Sequence, residues 1–436
     1  TVAEAVAGDD LVISVDNTTV TVMNDNSADD GGGVNNFTIG DVTGTNNVIF
    51  ATLTSDDATG GLTVTVGDIN FSGADALSTI SFDNISDDGF DNTTTVNSIN
   101  TAGSVLVDNN TTLALADTTV TVTNNAVIGG DLNVLNDGFA ASEVFLNVKG
   151  NLTVTGDVKV VSDSLGANTA DLITDVLVEG NAVVGGLYVD VLGIGTDSDA
   201  TFGIYGNLTA TNGITLASNA SADAILALYG TKAQSVTGVI AGTGIIGLGN
   251  NAGVTFNNAV TANEIVVVDE LAVGASFDAR ATFKEAVISD VVFEDKGTIT
   301  FEKSLDGDVD FGDEDGVVIL ADGANITGTV DATTASKGTL TIQGSSSIGG
   351  TVGVTENLDA INAGANGKTV IFNSNVIADV LNVTGTGTIE FDGAFQGDIS
   401  FAGDGVVDVT GAYTNLGDID AASANIGTLI INNATS

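Results

Sequence analysis

The chain lacks four residue types that are common in enzyme active sites, metal sites, disulfides or turns. Its 436 residues contain no proline, cysteine, histidine or tryptophan, and one methionine. Without cysteine, the chain has no disulfides and no thiolate metal ligands. Without histidine, it lacks the commonest general base near neutral pH and the commonest transition-metal ligand. These gaps exclude Ser-His-Asp and Cys-His catalysis and His/Cys zinc sites, and we expect a protein that is not an enzyme.

Basic residues are also scarce. Nine Lys and Arg stand against 57 Asp and Glu, which gives a formal net charge of −48, and the first basic residue is Lys149. Such a field repels the phosphates of nucleic acids and anionic lipids, so we expect no nucleic-acid partner and no direct membrane insertion. The same field attracts cations, and Ca²⁺ prefers carboxylate and carbonyl oxygens.

The apolar content excludes a disordered acidic chain. Hydrophobic residues make up 43% of the sequence and the mean hydropathy is +0.33, well above what disordered segments carry. The apolar residues occur in short runs, far below the 18 or so that span a bilayer. No basic and then apolar leader pattern begins at Thr1, so we expect that any secretion signal has been removed. That the protein is secreted is an expectation from its composition.

The local pattern is that of short strands. Strong helix formers are rare, and apolar residues alternate before Gly, Asn or Asp, as in Leu62–Val66, Thr119–Val122 and Val158–Val161. Proline cannot donate to a β-ladder, so its absence fits strands that are paired on both sides. We predict an all-β fold, a parallel β-solenoid (β-helix) of imperfect tandem strand-turn-strand repeats. The alternative is a set of several β-sandwich domains.

The repeats include one long internal duplication. Residues 297–342 align with residues 387–431; both open with Gly-Thr-Ile-x-Phe and close with Gly-Thr-Leu-x-Ile. The predicted solenoid covers 126–436, where Gly-Asn or Gly-Asp pairs also recur at Gly130, Gly150, Gly180 and Gly206. Residues 1–125 are richer in Asp and Asn, and we expect a cap, a separate β-domain or more degenerate coils there.

A shorter unit of ten residues lies within the repeats. Phenylalanines recur at this step, with each apolar residue two positions from another, so they point to one face of a strand. We predict that these rings are buried: Phe283, Phe293, Phe301, Phe311, Phe391 and Phe401.

One segment is a candidate metal site. If Val309 and Phe311 face the core, acidic residues alternate on the outer face about 7 Å apart, and more acids follow in the next turn. The duplicate copy lacks most of them, so the fold does not require their charge. The segment is not an EF-hand, because Val317 stands where that loop needs Glu. The alternatives are a solvated acidic face and a Ca²⁺ site formed by Asp306, Asp308, Asp310, Asp313, Glu314 and Asp315.

The Phe units and the duplicated motifs resemble bacterial surface proteins. Ala252–Val267 and Gly387–Val409 are similar to autotransporter passenger domains and to surface-layer proteins like the rickettsial outer membrane protein B, and the likeness covers about residues 125–436. The resemblance implies an exposed, secreted, parallel β-helical passenger. The chain departs from the family at Asn432–Ser436, which is not the end of a membrane barrel, so anchoring by an autotransporter route is in doubt.

These observations lead to two functional expectations. The first is an extracellular structural protein that forms a cell-surface layer (S-layer) or fibre by self-assembly, on the outer surface of a bacterium rather than an archaeon. The second is an adhesin that binds a host or neighbouring cell. The scarcity of Tyr, Trp and Arg, which dominate binding hot spots, favours the first. The expected partner is the protein itself, with a cell-surface glycan or an outer-membrane component as a further candidate.

Overall fold

The computed structural model describes the chain in segments, and all regular structure within them is β-strand. The described residues are 11–13, 18–24, 35–44, 48–54, 62–71, 79–84, 91–109, 117–136, 142–162, 172–191, 199–268, 278–411, 415–423 and 426–432. In these segments no helix is long and apolar enough to cross a membrane.

The strands are short, as the frequent Gly, Asn and Asp residues predict. In the first half of the chain they are Leu11–Ile13, Thr18–Asn24, Asn35–Ile39, Val42–Gly44, Val48–Thr54, Leu62–Phe71, Thr79–Asn84, Asn92–Thr101, Ser104–Asn109, Thr118–Val122, Ala126–Ile128, Leu132–Asn136, Ser142–Val148, Leu152–Val154, Val158–Ser162, Leu172–Val178, Ala182–Val191, Ala200–Ile204, Leu208–Ala217 and Ala224–Gly230.

The second half continues in the same manner. Its strands are Gln234–Thr237, Ile240–Gly242, Ile245–Asn250, Val254–Phe256, Val260–Val267, Ala279–Phe283, Val287–Phe293, Gly297–Phe301, Leu305–Asp306, Val309–Asp310, Val317–Leu320, Val330–Asp331, Lys337–Ile342, Ser346–Ile348, Leu358–Ala363, Thr369–Phe372, Val376–Val383, Thr388–Phe391, Phe395–Phe401, Val406–Val409, Asn415–Ala421 and Thr428–Ile431.

The protein is a parallel β-solenoid, which confirms the predicted fold class. The described strands pair mostly in parallel with the strand one coil earlier or later, so the antiparallel β-sandwich alternative is wrong. The chain divides into two compact units, 1–227 with 237–245 and 228–236 with 246–436. Residue 125 lies inside the first unit, and the described strands before it pair in the same parallel manner as those after it.

Each coil of the first unit passes through three faces, which we call A, B and C in chain order. Residues one coil apart are separated by 26 or 30 positions at the corner between faces A and B. Face A carries the ladder Phe37–Val64–Thr94–Val120–Leu146–Val176–Phe202. Face B carries Val42–Ile69–Ile99–Ala126–Leu152–Ala182–Leu208. Face C carries Val48–Ile80–Val105–Leu132–Val158–Leu187–Ile214–Ile240.

The second unit also has three faces, D, E and F in chain order, with shorter coils. Between residues 290 and 347, hydrogen-bonded pairs one coil apart are 18 to 23 positions apart. Face D carries Val254–Ala281–Ile299–Val318–Leu340–Ile361–Leu381–Ile399. Face E carries Val260–Val287–Leu305–Ile326–Ile348–Phe372–Phe391–Val409. Face F carries Ile265–Val291–Val309–Val330–Val352–Val376–Phe395.

The core of the second unit contains stacked phenylalanine rings. The six phenylalanines predicted from the ten-residue step are all buried, which confirms that prediction. Because parallel strands place equivalent side chains above one another, the rings stack between successive coils and not between the two strands of one ten-residue repeat. Phe283 lies between Phe256 and Phe301, with ring centroids 4.5 and 5.4 Å away. Phe293 stacks on Phe311 at 5.0 Å.

The duplicated segments occupy different faces. The strand Gly297–Phe301 of the first copy lies in the ladder of face D, whereas Thr388–Phe391 of the second copy lies in that of face E. The shift of one face is possible because every face offers the same parallel ladder and the same inward apolar pattern. The closing glycine keeps its role in both copies. Gly338 and Gly427 have φ values of +72° and +81°, and a Cβ there would come within 2.2 Å of the Phe311 ring or 2.4 Å of the Phe401 ring.

The Gly-Asn signature marks a corner of the first unit. The backbone N–H groups of Asn181 and Asn207 donate to the side chains of Asn151 and Asn181, so three of the signature pairs form one column. The fourth pair, at Gly130, lies at the corner between faces B and C, where Asp157 stacks on Asp131. The spacing of 20 residues in the sequence therefore joins two different corners, and only the spacings of 30 and 26 measure a coil.

Candidate functional site: the acidic corners

The acidic segment 306–315 lies across two short strands of the second unit. Leu305, Val309 and Phe311 are buried in the core, as the alternation predicts. Asp306 and Asp308 are exposed, and Asp310 is partly buried. The sequence therefore predicted correctly which side chains point inward and which point outward.

These three carboxylates accept hydrogen bonds from the solenoid itself. Thr327 Oγ1, one coil on, donates to Asp306 at 2.5 Å. The backbone N–H and the hydroxyl of Thr329 donate to Asp308 Oδ1 at 2.6 and 3.0 Å. Asp310 accepts the backbone N–H of Gly312 in its own turn at 2.8 Å. Each carboxylate thus has a structural partner, which stabilises the next coil or the local turn.

The remaining acids of the segment lie in the following turn. Asp315 forms ion pairs with Lys296 at 3.4 Å and with Lys337 at 2.9 Å. The hydrogen bond from Lys337 holds the pKa of the Asp315 carboxyl below its usual value. Burial, together with the charges of Asp295 and Asp313, raises the pKa of Glu314. The ion pairs are solvent-exposed, so each adds little stability.

The six residues are not brought together around one point. Within the described part of the chain, no group of three or more Asp, Glu, His or Cys side chains is placed to hold a metal ion. Three of the carboxylates accept hydrogen bonds and one forms ion pairs, as above, which leaves fewer oxygen lone pairs for a cation. Binding of Ca²⁺ by Asp306, Asp308, Asp310, Asp313, Glu314 and Asp315 stays a prediction.

A second set of acids, which sequence reasoning missed, lies at the corner between faces C and A of the first unit. We call it the acidic column: Asp91, Asp117, Glu143, Asp199 and Asp223. The backbone N–H of Asp117 donates to Asp91 Oδ1 at 3.1 Å, and that of Glu143 donates to Asp117 Oδ1 at 2.8 Å. Ile173 takes the position in the next coil, and beyond it the backbone N–H of Asp223 donates to Asp199 Oδ1 at 2.8 Å.

Stacking raises the pKa of several acids at this corner. Burial is the largest cause at Asp117 and Glu143, and neighbouring carboxylates raise the pKa of each further. The pKa of Asp223 is raised by burial and by Asp199. The pKa of Asp175, on the adjoining strand, is raised by burial and by Asp199, against a hydrogen bond from Thr201 that lowers it. The folded state therefore favours the protonated form of these groups.

The sequence does contain a signal for the column, but it is weak. Five coils each contribute one acid at the start of a strand on face A, the coil of Ile173 contributes none, and consecutive members are 24 to 26 residues apart where they are hydrogen-bonded. In a chain with 57 acids, such a recurrence is visible only once the coil length is known.

The second unit contains a polar groove. Its volume is about 550 Å³, and its lining includes Glu356, Asn357, Asp379, Gln396 and Asp398. Asn357 donates to Asp379, and Asp398 accepts the backbone N–H of Asp418 at 2.8 Å. Among the described residues of its lining none is aromatic, so these residues do not form the stacking platform common in carbohydrate clefts. The groove offers hydrogen-bonding groups to a polar ligand.

Comparisons with known proteins do not identify a family. No protein-family description matches this chain, and no curated protein or solved structure matches it either.

Proposed function

We propose that this protein is an extracellular structural protein whose β-solenoid subunits pack into a cell-surface layer or fibre. One observation carries the proposal: polar side chains at the corners bond to the next coil, and within the described residues no three or more acids are placed to hold a metal ion. Asn151, Asp131 and Asp308 each accept a backbone N–H from one coil further on. The polar residues thus serve the stacking of coils, as expected of a protein whose role is mechanical.

The physical properties of the solenoid suit such a role. Within each compact unit, backbone hydrogen bonds run between described coils along the three faces, and buried Val, Ile, Leu and Phe fill the core. The absence of proline from the whole chain leaves every backbone N–H able to donate. The net charge of −48 keeps a long apolar-cored subunit soluble before it assembles.

Imaging of the native surface and of the purified protein tests this proposal. We expect electron microscopy of the cells that express the protein to show a continuous lattice or filament, and the purified chain to form ordered sheets or fibres as its concentration rises. A surface without periodic order, together with a purified chain that stays monomeric at all concentrations, contradicts the proposal.

The second candidate is an adhesin, and the polar groove is the observation that favours it. The groove residues Glu356, Gln396 and Asp398 present carboxylate and amide groups that suit the hydroxyls of a cell-surface glycan. A glycan array probed with the wild-type protein and with a Gln396→Ala variant tests this function. Binding of a defined glycan that the variant loses supports the adhesin, and an absence of binding leaves the structural role.

A further inference from the structure

Five consecutive coils of face B in the first unit carry no charged residue, whereas on the coil before them Asp68 lies on the same face and accepts hydrogen bonds from Asn97 and Ser98. We call this uncharged surface the neutral ribbon; it consists of the stretches on five consecutive coils 97–103, 124–130, 150–156, 180–186 and 206–213. None of these residues is Asp, Glu, Lys or Arg, although 15% of the chain is charged and about five charges would be expected in stretches of this total length. Faces A and C of the same coils carry Glu143, Asp175, Lys159 and Asp190.

The corner of the ribbon shows that the absence of charge is not imposed by the fold. There the backbone N–H groups of Asn151, Asn181 and Asn207 donate to the side-chain Oδ1 of the asparagine one coil earlier, at 2.8 to 2.9 Å. At the corner between faces B and C, the same bond is made to a carboxylate, from Asp157 N–H to Asp131 Oδ1 at 2.9 Å. Because Asp and Asn fill this geometry equally, the neutral ladder requires an explanation beyond the stacking of coils.

The centre of the ribbon is a line of β-branched side chains that point to solvent. Val127, Thr153, Val183 and Thr209 pair in register on successive coils, about 4.8 Å apart. Val127 and Val183 are 44% and 47% exposed, so apolar surface faces water here. A partner that covers this line removes that apolar surface from water, which is favourable.

Glycines lie at both ends of the short strand in the ribbon. Glycines stack directly on one another at both ends of the short strand, and a Cβ at Gly180 would lie 2.4 Å from the Gly150 carbonyl oxygen. At the other end, a Cβ at Gly185 would lie 2.4 Å from the carbonyl oxygen of Gly156. Glycine backbone therefore flanks the line of Val and Thr, and the nearest long charged side chains on that corner, Lys149 and Glu179, lie one residue beyond it.

We propose that the neutral ribbon is a docking face for a second copy of this chain, which rests on the proposed structural role and assigns its subunit contact. Two copies with a charge of −48 each repel one another over most of their surfaces, and the cost rises where carboxylates lose water. The ribbon itself brings no charge from either copy, and the charges nearest to it, Lys149 and Glu179, lie at its edge, so two copies meet there without burying like charges at the centre of the contact. A two-fold arrangement gives each copy the same contact surface.

The size of the ribbon sets the strength of the contact. Five coils about 4.8 Å apart and a width of roughly 20 Å give roughly 500 Å² for each copy. Two copies then bury about 1,000 Å² in total, which is at the low end of specific interfaces. A single ribbon contact is therefore weak, and it becomes effective when other contacts in an assembly hold the copies together.

Sedimentation equilibrium of the full-length chain tests the inference, because near-isosteric Asn→Asp changes add charge and keep the corner hydrogen bond. The ribbon variant is Asn151→Asp with Asn181→Asp. The matched control is Asn366→Asp with Asn375→Asp, which adds the same charge at corners of the second unit where the asparagine also accepts a backbone N–H. In about 0.15 M salt we expect the ribbon variant to dimerise at least tenfold more weakly than wild type, and the control to change less than threefold.

Several results overturn the inference. The inference is wrong if the wild-type chain stays monomeric at millimolar concentration. It is also wrong if the ribbon and control variants lose dimer affinity equally. If the ribbon variant has lost the circular-dichroism spectrum of the wild type, Val127→Lys with Val183→Lys replaces it, because those side chains point to solvent. Undiminished dimerisation of the folded lysine variant also overturns the inference. If a folded ribbon variant still forms a lattice, the ribbon contact is wrong and the proposed function stands. If the wild type dimerises through the ribbon in solution but forms no surface lattice, the proposed function is wrong and the ribbon contact stands.

Discussion

The stack of rings on face D gives the most direct test of the core. Phe283 is fully buried between Phe256 and Phe301, with ring centroids 4.5 and 5.4 Å away. Replacing a buried Phe by Ala costs about 3–5 kcal/mol, and each aromatic pair adds about 0.5–1.5 kcal/mol beyond buried area. Because Phe283→Ala removes two pairs at once, we expect a loss at the upper end, about 4–5 kcal/mol in the stability of the surrounding coils.

The assay must resolve local stability, since a stack of coils in two compact units does not have to unfold in one step. Native-state hydrogen exchange followed by mass spectrometry measures the opening free energy of the strands Ala279–Phe283 and Gly297–Phe301. Phe283→Leu separates the two contributions: it keeps most of the apolar volume and loses the stacking, so we expect about 1–2 kcal/mol.

The matched control is Ile288→Ala on the following strand. Its side chain is 51% exposed and points away from the core, so we expect less than about 1 kcal/mol. If Phe283→Ala costs no more than this control, or if Phe283→Leu is as damaging as Phe283→Ala, the account of the stacked core is wrong.

Three further predictions concern the turns and the acidic corners. Gly338→Ala should destabilise the second unit by about 3–4 kcal/mol in urea unfolding followed by circular dichroism, since it combines positive φ with a clash against the Phe311 ring; a neutral result refutes the role given to this glycine. The pKa values of Asp117 and Glu143 are raised, so between an ordinary carboxyl pKa and the raised one the folded state binds more protons than the unfolded state. The free energy of unfolding should therefore fall as the pH rises from the ordinary carboxyl pKa values of 3.8 and 4.5 through the raised ones, less steeply in the variant Asp117→Asn/Glu143→Gln; an unchanged slope contradicts this. If the acidic segment 306–315 binds Ca²⁺, chelation at equal ionic strength should lower the unfolding temperature of wild type more than that of Asp308→Asn, and an equal response removes the calcium prediction.

Much of the fold could be predicted because its determinants are local. A β-strand places alternate side chains on opposite faces, so the pair Val309 and Phe311 was predicted to face the core from spacing alone. The missing proline and the frequent Gly and Asn indicated ladders and tight corners in the same way. The prediction that the phenylalanines point inward was correct for this reason, and it did not require knowing which coils are neighbours.

The sequence by itself therefore determined the strand pattern, the inward residues and the chemistry that the chain lacks. Only the tertiary structure decided which residues become neighbours, because coils vary in length and a loop insertion moves every later corner. The acidic column and the neutral ribbon both arise in this way, from single residues that lie one coil apart and meet at one corner or face. The duplicated motif makes the same point. Its two copies share a sequence, but they lie on different faces of the second unit because the number of residues between them does not correspond to a whole number of coils.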